Sequence, residues 1–94
     1  MAQNLPYFTD NTAKFRFEYH VRTADGAQDC AFAHYRREGN EIHITHVEAP
    51  TALRGTGAAG ELMRHITHHA RENALTLIPI CSYAVAWLKK HPAP

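Results

Sequence analysis

Residues 53–62 read LRGTGAAGEL, and Gly55, Gly57 and Gly60 fall at the Gly-x-Gly-x-x-Gly spacing of the dinucleotide-binding fingerprint. That fingerprint needs a strand running straight into its first glycine, an acidic residue about twenty positions on, and further parallel strands. Here the preceding strand signal ends near Glu48 and APTALR intervenes. The region around LTLIPI offers no carboxylate for a ribose, and no chain is left for the extra strands. The dinucleotide reading fails on context. The physical use of the glycines survives that failure. Glycines just before a helix let main-chain N–H groups approach an anion without Cβ interference, and the helix terminus adds roughly half a positive charge. Arg54 contributes a fixed cation suited to phosphate oxygens. The competing reading is a tight loop whose glycines serve only the turn.

Working outward, the helix that follows is expected over about Ala58 to Asn73. Ala59, Leu62, Met63, Ile66 and Ala70 form one stripe at helical spacing, while Glu61, Arg64, Arg71 and Glu72 lie outside it. Upstream, KFRFEYHVR alternates strictly from Lys14, with Phe15, Phe17, Tyr19 and Val21 on one face, the pattern of a half-buried strand. An Asp25-Gly26 turn leads to a second strand, QDCAFAHYRR, and EGNE turns into a third, IHITHVE. In that third strand Ile42 and Ile44 share a face but Val47 has the opposite parity, which is what a β-bulge leaves in a sequence. Downstream, ALTLIPIC reads as a short buried strand and SYAVAWLKKH as a terminal helix stopped by Pro92. Residues 1–13 show no periodicity and read as a flexible leader, with residues 14–94 as one domain. The expected fold is α/β with a mostly antiparallel sheet, in the order β-β-β-α-β-α.

Ninety-four residues suffice for one modest core and not for separate cofactor and substrate domains. Ten Lys and Arg against nine Asp and Glu, scattered along the chain, give no footprint for nucleic acid or an anionic membrane. The longest apolar stretch, ALTLIPICSYAVAWL, is too short to span a bilayer. The N-terminus lacks the pattern of a secretion signal, and the two cysteines, Cys30 and Cys81, read as free thiols in a reducing cytoplasm. The eight histidines make net charge pH-sensitive near neutrality. His65 and His69, one helical turn apart, lack a matching third ligand and read as a solvated or edge-of-core pair, so no metal is expected there.

Strand, proline, LRGTGAA, helix and strand in that order resemble the acetyl-CoA-binding core of the GCN5-related N-acetyltransferases. The family pattern Arg/Gln-x-x-Gly-x-Gly/Ala is matched by Arg54, Gly57 and Ala59. YRREGNEIHITHVEAPTALRGTGAAGELM followed by LIPICSYAVAWLKKHP is similar to the minimal, YjdJ-like subfamily, and the resemblance runs from about Phe15 to Pro92. It implies an acetyl-CoA-dependent transfer of an acetyl group to an amine, either a protein lysine, an N-terminus or a small amine. By resemblance, the main-chain amides of Arg54, Gly55, Thr56, Gly57, Ala58 and Ala59 hold the coenzyme A pyrophosphate. The pantetheine arm lies along the bulged strand near Val47 and Ala49, and Tyr83 approaches the coenzyme or donates a proton. Gly60 has no place in the family pattern.

Amine acetylation calls for a base, because an amine with pKa near ten costs about 4 kcal/mol to deprotonate at pH 7. Glu48 and His46, two apart at the strand end, are the candidates, each with a plain alternative as a solvated or structural side chain. Cys81, at the end of the strand facing them, is the leading candidate to return a proton to the departing thiolate. It could equally serve as an acyl nucleophile or a small buried side chain. Cys30 lacks that setting. The larger relatives carry an Asn and then a general-acid Tyr around their last helix, whereas here Tyr83 stands at its start with no later Tyr. Their two helices after the first strand are also missing, which leaves the acceptor unspecified. The alternative function is a non-catalytic coenzyme A-binding or interaction module.

Overall fold

The computed structural model describes residues 4–92. A five-stranded sheet runs in the order β1-β2-β3-β4-β5, formed by Tyr7–Asn11, Arg16–Arg22, Gln28–Glu38, Glu41–Glu48 and Thr76–Pro79. Two helices, α1 (Ala58–Glu72) and α2 (Ser82–Lys90), complete the fold. The first four strands pair antiparallel, and α1 carries the chain across to β5, which lies parallel to β4. This is the mostly antiparallel α/β architecture expected from the sequence, with one strand more.

The additional strand corrects the reading of residues 1–13 as a leader. Residues 1–3 lie outside the described residues, but Tyr7–Asn11 pairs along its whole length with β2, from Tyr7 opposite His20 to Asn11 opposite Arg16. Its five residues do alternate, but with polar Asp10 among the inward-facing positions the apolar signal disappears. Asp10 is there for a reason. It accepts a hydrogen bond from the Tyr35 hydroxyl at 2.6 Å, and burial together with that carboxylate raises the phenol well above its ordinary pKa. A charged partner makes such a bond stronger than a neutral one.

One face of the sheet meets α1. Phe17, Tyr19, Ala31, Ala33, Tyr35, Ile42 and Ile44 pack against Leu62, Met63 and Ile66, all three fully buried. Each such side chain contributes roughly 1.5–3 kcal/mol by leaving water. The helix is rotated slightly from the expected stripe: Ala58 is buried and Ala59 only half-buried, because Ala58, Leu62 and Ile66 follow one i, i+4 line into the sheet. Strand β5 is half-buried rather than buried, since it is an edge strand, where Pro79 is also tolerated. α2 ends at Lys90, two residues before Pro92. The turns fall where the glycines were read, with Gly26 and Gly39 both in the left-handed region.

Candidate active site

The bulge is where the parity of Val47 put it. Ile44 stands opposite Tyr35 and His46 opposite His34, so Thr45 is the extra residue, and its hydroxyl donates to the His34 carbonyl at 3.2 Å. Two consequences follow. Val47 returns to the face of Ile44 and packs against the core, while His46 and Glu48 point to the face without a helix. Residues that share a face also share a main-chain direction, so the N–H and C=O of Val47 aim toward the β5 edge, as those of Ile44 do.

At that edge β4 and β5 separate. Their pairing ends at Ile44 opposite Pro79, and the Ile44 carbonyl accepts two bonds, from Ile80 N–H at 2.9 Å and Cys81 N–H at 3.2 Å. Beyond this fork, Thr45–Glu48 has no register partner on β5. A strand edge with free main-chain groups can take another extended chain as though it were a strand.

The glycine loop lies between the end of β4 and the start of α1. Gly55 (φ 79°) and Gly57 (φ 86°) sit in the left-handed region, where a Cβ is strained, so the loop needs glycine at both. Arg54 N–H donates to the Thr51 carbonyl at 3.3 Å, Thr56 N–H to Leu53 at 3.2 Å, and Ala58 N–H to the Thr56 hydroxyl at 3.3 Å. The amides of Gly55, Gly57, Ala59 and Gly60 find no acceptor among the described residues. Gly57 is the N-cap of α1 and has no side chain to offer, so these donors stay available to an external anion. Arg54 Nε reaches back to the Ala49 carbonyl at 3.4 Å, which ties the loop to the end of β4.

Cys81 is not a strand residue as expected. It is the N-cap of α2, held by its own N–H on Ile44, and its sulfur accepts a long hydrogen bond from Ala84 N–H at 3.4 Å. The Cys81 main chain is thereby hydrogen-bonded to Ile44, the residue that precedes the bulged Thr45 in sequence. His46 Nε2 and Glu48 Oε1 lie 3.1 Å apart, both about half exposed. The structure therefore joins His46 to Glu48, and puts Cys81 at the fork without a hydrogen bond to either. Tyr83 lies on the first turn of α2 against the first turn of α1: a Cβ built on Gly60 would stand 4.0 Å from its hydroxyl and 3.6 Å from Trp87 Nε1. Gly60 thus faces α2 at a spacing that would also admit a Cβ in ordinary contact. Burial raises the Tyr83 pKa. His65 and His69 are packing residues: His65 stacks on Phe8 and Tyr19 at 5.4 and 5.0 Å, and His69 packs on Phe17 at 5.4 Å.

The site thus brings together a strand pair that parts at Ile44, a bulge at Thr45 and a glycine loop with free amides at a helix N-terminus. A model of the GCN5-related N-acetyl-transferase family matches residues 16–93. The chain belongs to that family. A solution structure from Staphylococcus aureus, described as "a GCN5-like putative N-acetyltransferase", is 27% identical with a TM-score of 0.60, over 94% of this chain and 82% of that one. The family match begins at β2, so the β1 strand lies outside it while still completing this chain's sheet.

Sequence reading of this acetyltransferase-family chain missed one cluster. Glu18, His20 and Cys30 meet on the helix-free face of β2 and β3, where Glu18 is almost fully buried. Burial alone would raise its pKa, but hydrogen bonds from His20, Arg16 and Asn11 overcome that and lower it from 4.5 to about 2. The signal was present in the alternation of FEYHV, which sets Glu18 and His20 opposite Phe17, Tyr19 and Val21. Cys30 could join them only once the hairpin register was known.

Proposed function

We propose that the protein is a minimal, YjdJ-like acetyl-CoA-dependent N-acetyltransferase that acts by direct attack of an amine on the thioester. The observation carrying this reading is the fork at Ile44, beyond which Thr45–Glu48 has no register partner on β5, with the amides of Gly55, Gly57, Ala59 and Gly60 finding no acceptor among the described residues. In this reading Arg54 and the amides of Gly55, Gly57 and Ala59 hold the pyrophosphate, Thr56 and Ala58 shape the loop, and Val47 and Ala49 line the pantetheine arm. Tyr83 flanks the coenzyme from α2.

Bound along β4, the thioester carbonyl would receive main-chain N–H donation at the bulge, stabilising the tetrahedral oxyanion. The His46–Glu48 pair takes the amine proton, with Glu48 orienting the imidazole. As the C–S bond breaks, the thiol of Cys81 supplies a proton to the coenzyme A thiolate and the acetyl group leaves on the amine. The His46–Glu48 pair then releases the amine proton to solvent, from which Cys81 is reprotonated. The products are an N-acetyl amine and coenzyme A. The acceptor is an exposed amine, and a protein lysine suits a face that no helix covers. The compartment is the reducing cytoplasm, in keeping with two free cysteines.

The test is calorimetric titration of the full chain with acetyl-CoA and coenzyme A, beside NADH and ATP, followed by thiol-release assays on mixed amines and lysine peptides. Selective coenzyme A binding with turnover is expected. Selective binding without turnover on any amine would instead identify a coenzyme-binding module, and no selectivity over NADH and ATP would end the reading altogether.

A further inference from the structure

The Glu18–His20–Cys30 cluster lies away from the glycine loop, and the proposed acetyl transfer leaves it unused. One oxygen of Glu18, a ring nitrogen of His20 and the sulfur of Cys30 all stand within 4.8 Å of one another. From these positions we infer a mononuclear metal site for a zinc-like divalent ion, held by Glu18, His20 and Cys30 with a fourth position for water.

The backbone fixes the geometry. His20 faces Cys30 directly across the β2–β3 ladder, and Glu18 follows on the same face one pleat along. The carboxylate is divided between two tasks. Its Oε2 accepts from Arg16 Nε at 2.6 Å and Asn11 Nδ2 at 3.1 Å, while Oε1 faces only His20 Nε2, at 2.9 Å. Oε1 is thus the free ligand atom, oriented by the groups on its neighbour. The imidazole is held as well: Tyr7 stacks on it at 4.5 Å and Gln28 Nε2 lies 3.3 Å from Nδ1. Outer partners of this kind set ring orientation in metal sites, and losing one typically costs about 10–100-fold in affinity.

The donor set selects the ion. A thiolate with one imidazole and one carboxylate disfavours magnesium and calcium, which take oxygen, and suits zinc or cobalt. Three protein ligands and an open position match the coordination of reactive rather than purely structural zinc. On binding, Cys30 loses its thiol proton to solvent as the S–metal bond forms. An imidazole that ligates through Nε2 carries its N–H at Nδ1, where it donates a hydrogen bond to the Gln28 side-chain oxygen once that amide is turned. The Arg16 guanidinium beside Oε2 opposes the ion's charge and limits affinity. A second group, Glu38, Glu41 and His43, has no sulfur and two exposed carboxylates, and is not assigned.

The experiment uses the full chain, stripped with EDTA and titrated with Co2+. Saturable binding of one ion per chain is expected, with visible d–d bands and a near-ultraviolet thiolate-to-cobalt charge-transfer band that Zn2+ abolishes. Cys30→Ser should remove the charge-transfer band, and His20→Gln, which keeps a donor toward Glu18, should weaken binding at least about 10-fold. Cys81→Ser should keep the band, because Cys81 is the other cysteine of the chain. Circular dichroism checks that each variant is folded. No charge-transfer band in the parent protein, or a band that survives in folded Cys30→Ser, overturns the assignment. Neither result touches coenzyme binding, so the two readings stand or fall separately.

Discussion

Protonating Glu18 should remove a sizeable part of the fold's stability, and the size follows from its surroundings. Its side chain is only 8% exposed and its pKa falls from 4.5 in an ordinary environment to about 2. A group whose folded pKa is depressed stabilises the protein fully above the unfolded value, and that stabilisation is lost as pH falls through the folded one. The window is therefore about pH 4.5 down to 2, and the full effect at about 1.4 kcal/mol per unit is roughly 3 kcal/mol. Against a total of about 5–15 kcal/mol for a domain, this is a large share. Other carboxylates titrate in the same range, so the informative quantity is a difference. Urea unfolding of the parent protein and of Glu18→Gln, both in EDTA, should show a gap in stability that shrinks by about 2 kcal/mol between pH 6 and pH 3. Circular dichroism would follow the transitions. A gap of the same size at both pH values would refute the reasoning, because Glu18 would then ionise alike in the folded and unfolded chain.

Substitutions at three other positions have definite outcomes. Gly57→Ala puts a Cβ where nothing lies within 4 Å but where φ is +86°, so backbone strain alone should cost about 1–2 kcal/mol in thermal unfolding and weaken coenzyme binding by calorimetry. Cys81→Ser should hold or slightly raise stability, since serine is a better helix N-cap, while a thiol-release assay should show lower turnover; Cys81→Ala should lose up to about 1 kcal/mol as well. Tyr35→Phe should cost about 1–3 kcal/mol in chemical denaturation by stranding Asp10 at a part-buried site, and an unchanged midpoint would mean that water replaces the hydroxyl.

Legibility in the sequence followed the strength of the local signal. The Phe17-Tyr19-Val21 alternation, the Leu62-Met63-Ile66 stripe and the parity slip at Val47 each report a period, and each marks an element or a bulge of the fold. β1 carried no such signal, because Asp10 occupies an inward position that only Tyr35, distant in sequence, explains. Hydropathy alone makes Cys81 a strand end, because its cap role depends on the next turn of chain. His65 and His69 were separable from a metal pair only by the absence of a third ligand, and their real use, stacking on Phe8, Tyr19 and Phe17, needs β1 in place. Most of the contacts that sequence failed to give join one element to another, as α1 joins β1 and β2 through His65 and His69.

The bulge at Thr45 exposes the logic of the cleft to a direct trial. Deleting Thr45 leaves Ile44, His46 and Val47 opposite Tyr35, His34 and Ala33, so each remaining side chain keeps its face and the core loses nothing. An uninterrupted ladder carries less local bend and twist than a bulged one, so the edge at Val47 would straighten toward β5. Stability should therefore be held or increased in urea unfolding, while affinity for coenzyme A falls at least about 10-fold, a loss of about 1.4 kcal/mol. Natural strands keep such an irregularity where it re-aims the chain for a site, at some cost in pairing. If the deletion variant folds and binds coenzyme A as tightly as the parent, the fork does not depend on the bulge, and the opening between β4 and β5 must come from the two hydrogen bonds that Ile80 and Cys81 donate to the Ile44 carbonyl.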